Sequence, residues 1–237
     1  VTGHVIVRTK RGPSAQVVDA LAKSGVATAH EAHGRRGLLG PELRPIYPGA
    51  RIAGRAVTVL SHPGDNLMIH ASIEQCRAGD VLVVATTSRS TDGMFGDLFA
   101  TQLLHRGVRG LVTDAGVRDI ADLQAMGFPV WSRAVHAQGT AKAVPGSVNV
   151  PVVVAGQLVG PGDIIVADDD GVLCVPLADG ETVVEAAAAR EANEEAKRRR
   201  FREGEIGLDV YGMRPLLERL GVRYVDDPAD ADPEESS

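Results

Sequence analysis

Residues 81–132 read VLVVATTSRSTDGMFGDLFATQLLHRGVRGLVTDAGVRDIADLQAMGFPVWS. VLVVAT (81–86) is a continuous apolar, β-branched run of strand length, the pattern of a strand buried on both faces. GDLFATQLLHRG (96–107) then predicts a helix, GLVTDAG (110–116) a strand, RDIADLQAMG (118–127) a helix and FPVWS (128–132) a strand. Strands alternating with helices of this length imply parallel pairing and an α/β layer. Upstream, AVTVL (56–60) adds a buried strand, and NLMIHASIEQCRAG (66–79) a helix ending in glycine. Ser14 caps a further helix, with Val17, Val18 and Leu21 on one face and Gly25 at its end.

After Gly139 the texture changes. VNVPVVVAG, QLVGPGDIIVADDDG and VLCVP are short β-branched runs broken by Gly, Pro and Asp, which predicts hairpins. A β-rich segment on an α/β layer makes three layers, a β/β/α sandwich. Asp179 to Glu203 is one long helix: Val183, Val184, Ala187 and Ala188 form its apolar part. Glu194/Arg198 and Glu195/Arg199 are acid-before-base pairs four apart in its charged half. GEIGLDVYGMRPLLERLGVRYVDD closes the chain with Leu216, Leu217 and Leu220 at helical spacing. The reading is one domain over 1–225, with 180–225 a helical extension, and a disordered acidic tail over 226–237.

The charge supports that division. The 237 residues carry 25 Lys+Arg against 31 Asp+Glu. Six of the acids, Asp226, Asp227, Asp230, Asp232, Glu234 and Glu235, lie beyond Arg223, the last base, which leaves a neutral body. A neutral body argues against a broad nucleic-acid or membrane footprint, so any anionic ligand must be met by a few placed cations. Few aromatics argue against stacking platforms for bases or sugars. Cys76 and Cys174 stand alone among apolar neighbours, the usage of a reducing compartment. No apolar run reaches the length of a membrane span, and the N-terminus lacks a signal peptide's apolar core, so a cytoplasmic location is expected.

Several motifs carry chemistry on their face. His30-Glu31-Ala32-His33 has its histidines three apart, not the four of a zinc-protease helix, and reads better as a strand end with a polar edge. The glycines around Gly93 and Gly96 fit neither a dinucleotide fingerprint nor a phosphate loop. Asp168, Asp169 and Asp170 before Gly171 suit a tight turn. Of the four lysines only Lys142 is placed where Schiff-base chemistry could be considered, and covalent amine catalysis is not expected. Thr113-Asp114-Ala115-Gly116-Val117-Arg118-Asp119 is more informative. It follows a buried strand and opens a helix, where α/β sheets place their ligands. Arg118 offers a planar fork for a carboxylate or carbonyl oxygen, and Asp119 an oxygen for a hard cation. The helix start at Gly96-Asp97 offers N–H groups to an anion.

With these residues in view, the sequence resembles the 4-hydroxy-4-methyl-2-oxoglutarate / 4-carboxy-4-hydroxy-2-oxoadipate aldolases, relatives of the regulators of ribonuclease E activity. The likeness runs through HEAHGRRG (30–37), PGDNLMIHASIE (63–74), FGDLFATQLLHRGVRGLVTDAGVRD (95–119), FPVWSRAVHAQGTAKA (128–143), PGDIIVADDDGVLCVP (161–176) and GEIGLDVYGMR (204–214). It implies a β/β/α fold like the swivelling phosphohistidine domains, a homotrimer or homohexamer with sites between subunits, and a Mg2+ or Mn2+ cofactor. The implied reaction, a step of aromatic-compound degradation, cleaves a 4-hydroxy-2-oxo di- or tricarboxylic acid to pyruvate plus pyruvate or oxaloacetate, with oxaloacetate decarboxylation alongside. By motif position Asp119 matches the metal ligand and Arg118 the arginine on the 2-oxo acid. Gly96, Asp97, Leu98 and Phe99 match the substrate-contacting loop, with Phe99 where a small or aliphatic residue is expected. Glu194, or its neighbour Glu195, matches a glutamate that reaches an adjacent subunit. Asn66 and His70 match groups behind the site.

The chemistry suits those residues. Breaking C3–C4 leaves electrons that a cation and Arg118 can hold as an enolate, while a metal-linked water, oriented by Asp97 or Glu194, takes the hydroxyl proton. Two other functions compete: a non-catalytic regulator that binds an RNA-processing endonuclease, and a phosphohistidine carrier using His105 or His136.

Overall fold

The computed structural model describes residues 3–231. The chain divides after Arg190 into two compact units. The first contains α1 (Ala15–Ala32), β1 (Arg44–Pro45), β2 (Ile52–Ser61), α2 (Leu67–Ser72), β3 (Asp80–Thr86), β4 (Gly93–Phe95), α3 (Asp97–His105), β5 (Gly110–Val117), α4 (Ile120–Ala125) and β6 (Val130–Val135). It continues with β7 (Ser147–Val148), β8 (Val152–Val154), β9 (Gln157–Val159), β10 (Ile164–Asp168) and β11 (Gly171–Val175). The helix α5 (Gly180–Arg202) begins in this unit.

One large mixed sheet runs β1-β6-β5-β3-β2-β10-β11, with β4 added to β5 and β7 to β2. The central strands β2, β3, β5 and β6 are parallel, and β10 and β11 join antiparallel. Side chains alternate across the sheet. Leu82 and Val84 of β3 pack with Met68, Ile69, Phe99, Leu103 and Leu123 of the helices on one face. Val81 and Val83 face the other way, against Val152, Val154 and Val159 of the β8–β9 hairpin. A two-stranded sheet, a large sheet and a helical layer thus make the β/β/α sandwich. Ile164 and Val166 of β10 are covered by Val17, Val18 and Leu21 of α1.

Ser14 caps α1 as its sequence indicates, its Oγ accepting from Val17 N at 3.3 Å. Gly25 breaks the helix at φ 77° but does not end it. The helix resumes because Asp168 Oδ2, far along the chain, accepts the Val26 N–H at 2.9 Å and acts as a second N-cap. His30 and Glu31 are therefore helical and His33 is the C-cap, which corrects the strand-end reading of 30–33. The segment 66–79 is shorter than one helix: α2 ends at Ser72, a 3-10 turn follows over Ile73–Gln75, and Cys76 is extended. The ADDDG segment is the expected turn between β10 and β11. Asp168 Oδ1 accepts from Asp170 N at 3.0 Å, and the Asp169 carboxylate accepts from Gly49 N. Both cysteines are free and buried, and burial pushes the Cys76 thiol up to about 12.

The second unit comprises the end of α5 with α6 (Gly207–Val210) and α7 (Arg214–Arg219). Glu194 pairs with Arg198 at 3.1 Å. Glu195 pairs with Arg198 and Arg202, not with Arg199 as the four-residue spacing suggests. Lys197 lies 4.5 Å from the Tyr211 ring centroid. Leu216 and Leu220 are exposed. Pro228–Ala231 forms a 3-10 turn within the acidic segment, while Asp232, Glu234 and Glu235 lie outside the described residues. No helix of the described residues is long and apolar enough to cross a membrane.

Candidate functional site at the carboxyl end of the parallel strands

Strand β5 ends at Val117, and the next two residues are Arg118 and Asp119, at the sheet edge where open α/β folds bind ligands. Arg118 is anchored by its backbone, whose N–H donates to Phe95 O of β4 at 2.9 Å. Asp119 is left-handed, φ 59° and ψ 40°, a conformation that aspartate tolerates better than most residues. Its Oδ2 accepts from Asp97 N at 3.3 Å and lies 3.5 Å from Arg118 Nε. Gly96 makes this possible. A Cβ there would stand 2.1 Å from Asp119 Oδ2 and 3.3 Å from Arg118 Cγ, so only glycine lets the carboxylate lie against the chain. Gly93 and Gly116 serve the same crowded crossing, where β4 meets β5.

A small cleft of about 90 Å³ opens here, room for a few ligand atoms and below the usual size of an enclosed small-molecule site. It brings together Asn66, His70, Gly96, Asp97, Leu98, Phe99, Arg118 and Asp119, all anticipated from the sequence. Gly93, Met94, Phe95, Gln102 and Lys142 line it as well. Glu194 and Glu195 belong to the second unit and are not among its lining residues. At the start of α3, Asp97 N is committed to Asp119 and Phe99 N to Gly96 O, whereas Leu98 N–H has no acceptor among the described residues. Leu98 is thus the residue whose backbone donor is available to an anion. Phe99 is a structural wedge: its buried ring stacks on Phe95 at 5.5 Å and meets the His70 ring at 4.4 Å.

The polar groups are poised for a charged ligand. Asn66 Nδ2 donates to Met94 O at 3.3 Å, but its Oδ1 is buried with no hydrogen-bond partner. An orphaned buried acceptor costs free energy, on the order of 1–3 kcal/mol, unless a ligand satisfies it. Desolvation against its neighbours, then the charge of Lys142, hold the His70 imidazole below its ordinary value. No cluster of three or more His, Cys, Asp or Glu suited to a metal occurs among the described residues. A zinc-type cage does not fit. A hard cation held by one carboxylate, with waters and ligand oxygens, does fit Asp119, whose Oδ1 accepts no hydrogen bond among the described residues.

Lys142 lines the cleft, although its sequence context suggests only Schiff-base chemistry, which is not expected here. The signal was there in GTAKA, which belongs to a matched segment.

Fold and site together define an α/β protein with a polar, cation-bearing cleft at a strand-to-helix junction. Residues 14–174 match the family described as RraA-like, Aldolase/RraA, and the chain belongs to that family. A protein of Halalkalibacterium halodurans, provisionally named a 4-hydroxy-4-methyl-2-oxoglutarate aldolase, is 32% identical over 178 residues, 75% of this chain and 82% of its own. The 4-hydroxy-4-methyl-2-oxoglutarate aldolase of Thermus thermophilus is 32% identical over 127 residues, 54% of this chain and 77% of that protein. Among solved structures, Streptomyces coelicolor RraAS2, described as an unusual member of the RNase ES inhibitor RraA family, superposes with a TM-score of 0.71 at 30% identity. The match covers 80% of this chain and 99% of that one.

Proposed function

We propose that this protein is a divalent-metal-dependent pyruvate aldolase. Its substrate would be 4-carboxy-4-hydroxy-2-oxoadipate or 4-hydroxy-4-methyl-2-oxoglutarate, cleaved to pyruvate plus oxaloacetate or pyruvate, with oxaloacetate decarboxylation as a second activity. The observation that carries this is the Arg118–Asp119 pair folded against Gly96 beside the free Leu98 N–H. In retro-aldol cleavage the C4 hydroxyl loses its proton, C4 becomes a carbonyl, and the C3–C4 electron pair moves onto the C2 oxygen as an enolate. Arg118 meets that developing negative oxygen with a charge-assisted hydrogen bond. The Leu98 N–H binds the C1 carboxylate, and Asp97 orients the water or hydroxide that takes the C4 hydroxyl proton, while a proton delivered to C3 of the enolate completes pyruvate. Mg2+ or Mn2+, which Asp119 would hold, would supply Lewis-acid polarisation of the 2-oxo acid. Decarboxylation of oxaloacetate leaves the same enolate, so Arg118 serves both activities. The reading also assigns Glu194, or Glu195, to a neighbouring copy's site in a homotrimer or homohexamer, which light scattering would identify.

The test is pyruvate release from the two aldols. Activity should vanish in excess chelator and return with Mg2+ or Mn2+. Asp119→Ala should abolish metal-dependent turnover while circular dichroism stays unchanged. Activity that survives chelation and traps a pyruvate adduct with borohydride would refute the proposal. The likeness to RraAS2 supports a second reading, a protein that binds an RNA-processing endonuclease, and a pull-down run beside the aldolase assay separates the two.

A further inference from the structure

A larger cavity, of about 480 Å³, opens at the opposite end of the sheet, beside the amino end of β3, and falls within the usual range of small-molecule sites. One wall is Arg55 of β2, only 4% exposed. Its Nε and one N–H of Nη2 are spent on Asp80, and one N–H of Nη1 on Thr9 O at 3.2 Å. A guanidinium has a second N–H on each terminal nitrogen, and for these Arg55 has no acceptor among the described residues. Buried donors left over in this way cost free energy unless a ligand takes them up.

The chain before α1 is built against this arginine. Gly12 crosses the Arg55 stem so closely that a Cβ would stand 2.3 Å from its Cδ. Lys10 O accepts from Arg77 Nη2 at 3.0 Å, just as Thr9 O accepts from Arg55. Two arginines thus hold the segment by its carbonyls. The Arg8 and Lys10 side chains line the cavity without a salt bridge among the described residues. Arg8, Lys10, Arg55 and Arg77 face one acid on the wall, Glu74, and Asp80 behind it offsets one more charge. A body of balanced charge therefore gathers a local excess of cations at this end of the sheet. No aromatic side chain is among the lining residues, so a base would find nothing to stack on.

We infer that this cavity is a second ligand site, for a small non-aromatic diphosphate, held by the unspent Arg55 donors together with Arg8, Lys10 and Arg77. A single carboxylate has too few acceptors for four cationic side chains, whereas two linked phosphoryl groups present oxygens on all sides and more than one negative charge. The site stands apart from the Arg118–Asp119 cleft and does not depend on the aldolase reading.

The experiment titrates full-length protein with inorganic pyrophosphate by calorimetry, in chelator and at fixed ionic strength, so that no divalent metal bridges the anion to Asp119. Pyrophosphate should bind once per chain with a Kd below about 1 mM, and roughly 10-fold or more tighter than orthophosphate or citrate. ADP should bind no tighter than pyrophosphate. Arg8→Gln/Lys10→Gln, which changes only exposed side chains, should weaken pyrophosphate by roughly 10- to 100-fold, the scale of a lost charge-assisted bond. Arg118→Gln, in the other cleft, should leave that affinity unchanged. The inference is overturned by pyrophosphate that fails to bind, by citrate binding as tightly, or by ADP binding much more tightly. It is equally overturned if the double variant keeps wild-type affinity or if Arg118→Gln loses it.

Discussion

Asp119 occupies the left-handed region, a conformation that costs a non-glycine residue on the order of 1 kcal/mol. What it obtains is position: a carboxylate turned back against Gly96 and the start of α3. Gly96 itself is extended, so its requirement is one of space, not of backbone freedom. Gly96→Ala should therefore displace Asp119 and, on the aldolase reading proposed above, cut turnover by roughly 100-fold or more. The loss should show in steady-state rates with near-normal circular dichroism. His70 gives a pH test. Its folded value lies below the ordinary 6.5, so the unfolded chain binds the proton more readily. His70 therefore costs nothing above about pH 6.5, and stability falls as the pH drops from there through the folded value. NMR titration should find His70 below 6.5 in the wild type and closer to it in Lys142→Met, because the ammonium repels the imidazolium.

At the scale of elements, β2 and β3 are joined by a buried ion pair as well as by their ladder. Arg55 and Asp80 are register partners, and Arg55 Nε and Nη2 donate to the two Asp80 oxygens at 2.8 and 2.6 Å. Both side chains are almost wholly buried. Removing one partner strands the other charge, so Arg55→Met should destabilise the protein by about 3–5 kcal/mol in urea unfolding. Adding Asp80→Asn should recover part of that loss. The strands were legible because β3 and β5 are apolar on both faces, as sequences between two layers must be. The helices were less so. Gly25 looks like a stop, and the sequence around it contains no sign of the Asp168 cap that restarts α1. Likewise Ile73 to Gly79 has helical composition, yet the chain leaves the helix at Ser72 to enter β3 at Asp80.

The whole molecule offers its own probe, since Trp131 is the only tryptophan and is completely buried. Its Nε1 donates to Asp168 O at 2.8 Å, linking β6 to the turn that caps α1. Asp168→Ala removes the Val26 cap and the Asp170 bond, and should cost roughly 1–3 kcal/mol. Trp131 fluorescence should report the shift as one cooperative transition at lower urea. The candidate site was largely readable residue by residue, since Asn66, His70, Gly96 to Phe99, Arg118 and Asp119 all line one cleft. What could not be read was their reach. Nothing in the spacing says that a Cβ at position 96 would strike Asp119, or that Asp65 clamps the segment bearing Lys142.

Local chemistry therefore indicated the layers, the succession of strands and helices along the chain, and which residues could meet an anion or a hard cation, because periodicity, caps and turn residues act over a few positions. Proximity across the chain belonged to the tertiary structure alone. The second cap of α1, the glycine-filled crossing of β4 and β5, the unfilled Asn66 oxygen and the second cation of the cleft all depend on residues separated by tens of positions or more. Only packing the sheet between its two layers sets those distances.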